Sequence, residues 1–256
     1  MCRNKEIVSY KNIVKMTTLQ ERTVADVVTE NIKAAHIFKK YGIDFCCGGG
    51  VSITRACEKA KIDPTILIEE LQNLNTAPDR AFDFNSWKLD FLTDHILNVH
   101  HQYVEESSPL LLQYAKRVNH VHGHHYTELN EIEELVTKLV QAMAAHQRKE
   151  ELILFPFIKK LVKAEAEGTE VPATHFGSVE NPIHMMEEEH EEAGDFLKRI
   201  SELSSGFTPP QGACNTYRAF YAKLDEFEQD LHQHIHLENN ILFPKALKLE
   251  KTLQKK

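Results

Sequence analysis

The sequence predicts an all-α protein, in which a small helical module precedes a bundle of four long helices. Beyond residue 86, apolar residues recur through four long segments at the i, i+3, i+4, i+7 spacing of amphipathic helices. Clusters of glycine and proline separate the later segments. An alternating pattern of useful length, which would indicate a strand, does not occur. The long helices are therefore expected to share one apolar core.

Three short helices are predicted in the N-terminal module, residues 19–75. Thr23 is a typical cap, and the helix that follows it is expected to continue to Gly42. A second helix is predicted after Ser52. A third is predicted after Asp63, which is a cap residue followed by proline at the first helical position.

The long helices of the bundle, residues 86–250, are predicted at about 86–121, 127–163, 181–204 and 214–249. Residues 1–18 are an N-terminal extension, and residues 76–85 are a linker that contains its own turn residues. Pro156 and Pro244 each remove one backbone donor and are expected to bend their helices.

One motif, His-x3-Glu-x3-Leu-Phe-Pro, occurs twice in the bundle. The first copy contains His146 and Glu150, and the second copy, 88 residues later, contains His234 and Glu238. Residues four apart lie on one face of a helix, within about 6 Å of each other. Each copy therefore directs an imidazole and a carboxylate to the same point, and two copies can share two metal ions.

Both glutamates of the repeat continue the apolar stripe of their helices, so they are expected to face the core. A buried carboxylate without a partner costs several kcal/mol. The alternative is a hydrogen-bonded core histidine beside a glutamate at the rim, which is plausible for one copy. Its recurrence in the same register favours metal binding.

Two further histidines extend the pattern. His190 lies 44 residues before His234 on an apolar face, and His101 lies 45 residues before His146. A helical wheel of the first long helix points nearer to His100 than to His101, because adjacent residues differ by ~100°. The spacing favours His101, which we take as the ligand, but the choice between the two neighbours remains open.

The predicted ligands indicate which metal is bound. They are four imidazoles and two carboxylates with no thiolate: His101, His146, Glu150, His190, His234 and Glu238. This set suits iron or manganese in a dinuclear centre bridged by carboxylates. Calcium prefers oxygen ligands, and structural zinc more often uses cysteine. A ferritin-like site would carry Glu-x-x-His on two helices, and the one fitting instance is Glu187-x-x-His190.

The N-terminal module carries its own chemistry at Cys46 and Cys47. Neighbouring cysteines bridge each other only through a strained ring, and a row of glycines follows them ahead of a helix start, where thiolates are favoured. We interpret them as a redox pair or as transient ligands for a metal or nitrosyl group. The alternative is a role in packing or in the turn.

Several motifs occur together in a characteristic order: Asp44-Phe-Cys46-Cys47-Gly48-Gly49, Asp94-His95-Ile96, His146-x3-Glu150, Glu189-His190, and His234-x3-Glu238 with Leu-Phe-Pro. With these motifs the chain resembles the repair-of-iron-centres family, hemerythrin-like di-iron proteins of the ScdA/YtfE type. The resemblance covers about residues 19–249. The doublet His100-His101 and the N-terminal extension depart from the family pattern.

The resemblance implies a hemerythrin-like up-down four-helix bundle that holds two non-haem iron ions, bridged by oxo and carboxylate groups. It carries over the same six ligands. It also implies a stress response in which iron-sulfur clusters damaged by nitric oxide or oxidants are repaired by iron donation, rather than a turnover enzyme. The partners would be damaged iron-sulfur proteins and small molecules such as NO or O2. Cys46 and Cys47, which mark the N-terminal domain, would receive or hand on iron or a nitrosyl group.

Two other functions remain open for the same ligands. One is a hemerythrin-like protein that binds or senses O2 or NO, and the other is an NO-reducing or peroxidase enzyme. The cysteine-bearing module favours repair. A homodimer through this module is compatible with the sequence, although no feature of the sequence requires it.

The composition excludes some classes of protein. The formal net charge of -8 argues against a nucleic-acid surface, which would be basic. No apolar run approaches a membrane span, and the first residues lack the apolar stretch of a secretion signal, so we expect a cytoplasmic protein. The remaining histidines are expected to be ordinary: a solvated cluster around Gly123, and His232 and His236 on the surface.

Overall fold

The computed structural model describes residues 19–74 and 83–255. Within these residues the chain forms helices joined by loops, which confirms the all-α class. The predicted extension, residues 1–18, and residues 76–82 of the predicted linker lie outside the described residues. No helix in the described part combines the length and the apolar character that crossing a membrane requires.

The first compact unit, Met1–Trp87, contains short α-helices in its described part. They are α1 (Val24–Glu30), α2 (Ala34–Lys40), α3 (Ile53–Ala60) and α4 (Pro64–Asn73), followed by a 3-10 turn at Phe84–Ser86. Their apolar faces bury Val28, Phe38 and Ile53. The caps predicted at Thr23 and Asp63 are confirmed, and Ser52 caps the helix that was predicted to follow it. Thr23 accepts from the N–H of Asp26 at 3.0 Å, Ser52 from that of Arg55 at 3.3 Å, and Asp63 from that of Thr65 at 2.8 Å.

The continuous helix predicted from Thr23 to Gly42 is wrong, because the chain breaks between α1 and α2. Asn31 adopts an extended conformation with φ -146° and ψ 100°. Its side-chain oxygen accepts a hydrogen bond from the N–H of Lys33 at 3.1 Å. Asparagine side chains compete in this way with helical backbone bonds. Because the apolar periodicity continues across the break, the sequence pattern did not predict it.

The second compact unit, Lys88–Lys256, contains the four long helices. Helix α5 comprises Leu89–His95, a π-helical turn Ile96–His101, and Gln102–His122; α6 comprises Glu128–Lys149, a π turn Glu150–Leu154, and Phe155–Glu167; α7 is Glu180–Leu203; and α8 comprises Asn215–Leu237, a π turn Glu238–Leu242, and Phe243–Leu253. The predicted helices are confirmed to within a few residues at each end. The π turns were not predicted.

The bundle is assembled from neighbouring antiparallel helices. Helix α5 packs against α6 and α8, and α7 packs against α6. A short turn at 123–127 joins α5 to α6, as is usual for adjacent antiparallel helices. At the end of α6, Gly168 has φ +66° and closes the helix in the left-handed conformation that glycine adopts without strain. Buried residues such as Leu139, Leu197 and Phe227 fill the space between the helices.

Each Leu-Phe-Pro segment marks the point where a π turn returns to α-helix. Pro156 and Pro244 are the second residues of the α-helical segments that follow the turns. Proline cannot donate to the residue four positions earlier, and its ring crowds that carbonyl. Those earlier residues, Leu152 and Asn240, lie within the π turns, whose i→i+5 geometry accommodates the ring.

Glu250 anchors the start of α7 from the last helix. Its side chain is buried and accepts hydrogen bonds from the Ser178 hydroxyl at 2.7 Å and from the Val179 N–H at 2.9 Å. The first N–H groups of a helix have no partners within the helix, and negative charge near them is favourable. The carboxylate therefore sets where α7 begins and ties it to α8.

Replacing Glu250 with alanine is expected to lower the free energy of unfolding by about 3 kcal/mol, because a buried N–H and a hydroxyl lose a charged acceptor. Urea unfolding measures the change. Lys251→Ala, an exposed neighbour on the same helix, is the control and should change the free energy by less than about 0.5 kcal/mol. Equal effects of the two substitutions would contradict the role assigned to Glu250.

Candidate metal centre

The six predicted ligands lie together in the bundle as two groups. One group contains His101 and His234, and the other contains His146 and His190. Glu150 and Glu238 belong to both groups. In each group the ligand atoms lie within 4.8 Å of one another, and all of these residues are buried. The four long helices thus each supply at least one member.

Each glutamate reaches across both groups. Glu150 Oε2 lies 3.3 Å from Nε2 of His101 and 3.3 Å from Nε2 of His146. Glu238 Oε1 lies 3.1 Å from Nε2 of His234, and its Oε2 lies 3.1 Å from Nε2 of His190. Two carboxylates placed between two pairs of imidazoles are the arrangement that a pair of carboxylate-bridged metal ions requires.

Partners outside the cluster orient three of the imidazoles. His101 Nδ1 donates to Glu151 at 2.9 Å, His146 Nδ1 donates to Glu189 at 2.9 Å, and His190 Nδ1 donates to the side-chain oxygen of Asn239 at 2.8 Å. Glu189 is itself paired with Lys149. With the proton held on Nδ1, Nε2 is left with its lone pair directed into the centre, as metal-binding histidines require.

The centre contains buried polar atoms whose partners are incomplete among the described residues and that a cation would satisfy. Glu150 and Glu238 are 0% exposed, and Oε1 of Glu150 has no hydrogen-bond partner among the described residues. His146 and His190 approach with their Nε2 atoms 3.0 Å apart, although both already donate through Nδ1. Two facing lone pairs at this distance require a proton or a metal ion between them. The residues therefore fit a metal.

The electrostatics of the metal-free cluster agree with this fit. Burial alone lowers the pKa of His146, but the Glu150, Glu189 and Glu238 carboxylates outweigh it and raise that pKa to about 10. Burial lowers the pKa of His234. Although burial opposes it, the neighbouring His234 and His190 hold the pKa of Glu238 well below its usual range. Without a metal ion, the carboxylates thus favour the protonated form of His146, and a metal ion would neutralise the same carboxylates.

The π turns determine how three of the ligands are presented. His101 is the last residue of one π turn, and Glu150 and Glu238 are the first residues of the other two. Short π-helical insertions occur frequently at functional sites. A wheel drawn at 100° per residue fails across such a turn, which explains why the wheel pointed nearer to His100, whereas the structure brings into the cluster His101, the residue chosen from the spacing.

His100 is buried beside the centre without belonging to either group. Its ring stacks on that of His234, with centroids 5.6 Å apart and an angle of 11° between the planes. Its Nδ1 lies 2.9 Å from Asp230 Oδ1. Both His100 and His101 are therefore buried, and of the two it is His101 that belongs to a ligand group.

The surface position predicted for His236 is wrong. This residue is only 1% exposed and lies 3.0 Å from the Asn240 side chain, while His232 is partly exposed. Residues 234–238 are all buried, so this turn of α8 is enclosed on every side and has no outer face. In the cluster around Gly123, His120, His124 and His125 are exposed as expected, and His122 contacts Cys214 at 3.2 Å.

Cys46 and Cys47 lie in the loop between α2 and α3, with their sulfur atoms 3.8 Å apart. Cys46 is buried and Cys47 is partly exposed. The Cys47 thiol, burial and the Asp44 carboxylate together raise the pKa of Cys46 well above its usual range. Burial and these two neighbours thus favour the protonated thiol of Cys46 over the thiolate. Sequence reasoning also did not assign a role to Asp44, although it stands two residues before the pair.

Glu189→Gln is expected to weaken metal binding about 10- to 100-fold, because a neutral amide orients and polarises His146 less well than a carboxylate does. Competition with a chelator of known affinity measures the change. The matched control is Glu188→Gln, which alters the exposed neighbour on the same turn of α7 and should leave the affinity unchanged. A similar loss in both variants would rule out an effect through His146.

Comparisons with known proteins agree with this geometry. Residues 92–246 match the hemerythrin HHE cation binding domain, and residues 20–75 match ScdA_N, a domain of unknown function (DUF542). The iron-sulfur cluster repair protein YtfE of Yersinia pseudotuberculosis serotype IB (strain PB1/+) is 36% identical over 218 residues, covering 85% of this chain and 93% of the relative. The protein of the same name from Yersinia pestis (strain Pestoides F) shows the same identity and coverage. The chain belongs to the YtfE family of hemerythrin-like proteins.

Proposed function

We propose that this chain is a di-iron protein that repairs iron-sulfur clusters damaged by nitric oxide or oxidative stress by donating iron. The observation that carries the proposal is the pair of buried His/Glu groups that share Glu150 and Glu238. The names of the two Yersinia relatives, both described as iron-sulfur cluster repair proteins, support it.

The ligand set supports two non-haem iron ions bridged by the shared carboxylates and an oxo group. Four imidazoles with two carboxylates suit iron, and six protein ligands divided between two ions leave positions for a small molecule such as NO or O2. Bound iron would supply redox chemistry between its ferrous and ferric states. The protein supplies an apolar enclosure. The Phe155 ring stacks on His101 with centroids 5.5 Å apart, and the Phe243 ring stacks on His190 at 6.1 Å.

The cysteine pair is proposed to receive or hand on iron or a nitrosyl group. Two thiols 3.8 Å apart on one loop, one of them partly exposed, can bind a soft group together. The damaged iron-sulfur protein would be the partner in this transfer. The His/Glu centre and the cysteine pair would thus both act on the damaged iron-sulfur protein, the first through imidazole and carboxylate ligands and the second through thiols.

The function is tested by incubating the iron-loaded protein with an iron-sulfur enzyme whose cluster has been nitrosylated or oxidised. Repair predicts that the client's activity and cluster spectrum recover, while iron is lost from the His/Glu centre in proportion. Consumption of NO, peroxide or O2 without recovery of the client would instead assign the centre to gas binding or reduction.

The double variant Cys46→Ser/Cys47→Ser is expected to keep its iron in the bundle but to restore clusters several-fold more slowly. Iron analysis and the recovery assay measure the two properties separately. Cys57→Ser removes a thiol of the same unit outside the pair and serves as the control. If the double variant repairs clusters at the rate of the control, the cysteines have no role in the transfer.

A further inference from the structure

His234 is held differently from the other three imidazoles of the metal centre. Glu151, Glu189 and Asn239 accept hydrogen bonds from the Nδ1 atoms of those three. Nδ1 of His234 is buried and has no hydrogen-bond partner among the described residues. A metal-binding histidine almost always donates its other ring N–H, and that bond fixes the orientation of the ring. The orientation of His234 therefore needs another source.

The ring of His100 lies against that of His234. The two rings are nearly parallel, with centroids 5.6 Å apart and an angle of 11° between their planes, and aromatic rings at such distances stack favourably. On another side the ring of His101 approaches His234, with centroids 4.9 Å apart and planes tilted by 56°. We propose that His100, anchored by Asp230, is a positioning residue that holds the ring of His234 in the orientation for binding metal.

Asp230 fixes His100 to the helix that carries His234. His100 Nδ1 donates to Asp230 Oδ1 at 2.9 Å. Asp230 precedes His234 by four residues on α8, and residues at this spacing lie on one face of a helix. The His100 side chain thus reaches from α5 to α8, where it bonds to one of these residues and packs on the other. With one end bonded and one face packed, it presents a fixed surface to His234.

The π turn of α5 allows two adjacent histidines to face the interior. His100 and His101 are the last two residues of the turn Ile96–His101, and they are 2% and 3% exposed. A π turn has i→i+5 hydrogen bonds and therefore more residues per turn than an α-helix, which narrows the angle between neighbouring side chains. One histidine of the pair consequently joins a ligand group, and the other packs on His234, a member of the same group.

The contribution of His100 comes from its ring and its anchor rather than from binding metal. His100 belongs to neither ligand group, and its Nε2 has no hydrogen-bond partner among the described residues. A substitution that keeps an aromatic ring should therefore preserve more of the contact with His234 than an aliphatic one does. Because His234 belongs to the group of His101, the effect should fall on one of the two ions. The inference depends on the metal centre of the proposed function and not on cluster repair.

Competition between the protein and a chelator for Fe2+ under anaerobic conditions tests the role of His100, and Mössbauer spectroscopy of the bound iron reports the surroundings of each ion. In His100→Leu we expect one ion to bind at least about tenfold more weakly, with an altered signal, while the ion of His146 and His190 binds as in the native protein. His100→Phe should lie closer to the native protein. Val99→Ala, an exposed neighbour in the same π turn, is the control. Equal weakening of both ions, or native binding in His100→Leu, would overturn the positioning role.

Asp230 provides a second test that leaves the ring of His100 in place. Asp230→Ala removes the anchor and should weaken the same ion, whereas Asp230→Asn keeps an oxygen acceptor for Nδ1 and should restore most of the affinity. Gln229→Ala, an exposed neighbour on α8, should bind both ions as the native protein does. If Asp230→Ala matches Gln229→Ala, the anchor is excluded. Since no iron-sulfur protein takes part, failure of the repair assay would leave this result unchanged, whereas a native protein without bound iron would overturn both proposals.

Discussion

Replacement of Glu150 with alanine is expected to remove both iron ions, taking the iron content from about two per chain to near zero. The reason is that Glu150 belongs to both ligand groups, as does Glu238, so either substitution would take a ligand from both of the proposed ions at once. Losing a ligand of the ion itself should exceed the 10- to 100-fold effect that is usual for an outer partner. Metal analysis after gel filtration measures the content.

Two controls make this expectation specific. Glu134→Ala changes an exposed glutamate of the same helix and should retain both irons. His101→Ala takes a ligand from one group only, so it should retain more iron than Glu150→Ala does. If Glu150→Ala kept two irons, or lost no more than His101→Ala, the shared-carboxylate arrangement would be incorrect.

Iron loading is expected to raise the melting temperature of the protein by about 10 °C. A ligand that binds only the folded state adds about 4 kcal/mol when its free concentration is 1,000 times its Kd. For a chain of this size, each kcal/mol corresponds to about 2–4 °C. The physical source is the neutralisation of Glu150 and Glu238, which are otherwise buried with incomplete partners. Calorimetry under anaerobic conditions with and without Fe2+ measures the shift.

The double variant Glu150→Ala/Glu238→Ala provides the reference for this shift. Since it lacks the shared ligands, its melting temperature should not respond to Fe2+. The Cys46→Ser/Cys47→Ser variant should respond as the native protein does, because its bundle ligands are intact. Identical melting temperatures of the native protein with and without bound iron would contradict the proposed coupling between metal and bundle stability.

The sequence predicted most of the bundle because its signals are periodic. Leu139, Met143 and His146 follow one helical stripe, so the position of His146 could be read from the pattern. The repeat of His-x3-Glu then predicted which polar residues come together. The metal-ligating role of these residues remains a prediction that the iron measurements test.

Features that depend on single turns of the chain were not predicted from the sequence. Asn31 breaks a helix through its own side chain, although the surrounding stripe is unbroken. His236 is buried because α8 is enclosed on all sides at that point, which no single-helix pattern reports. Asp44 holds its loop by accepting hydrogen bonds from backbone N–H groups, and such contacts produce no periodic pattern in the sequence.

The π turns of α5, α6 and α8 have a consequence for how the protein can change over time. Each π turn shifts the helical phase, so the apolar face of the stretch before the turn and that of the stretch after it are set independently. Core residues of either stretch can therefore be substituted without rotating the ligands at the turn. A one-residue deletion at Leu152 would remove the extra residue that the π turn accommodates and restore a regular α-helix, in which Glu150 would no longer be presented by a π turn. Substitutions along the bundle are thus tolerated far more readily than any change of length within these turns.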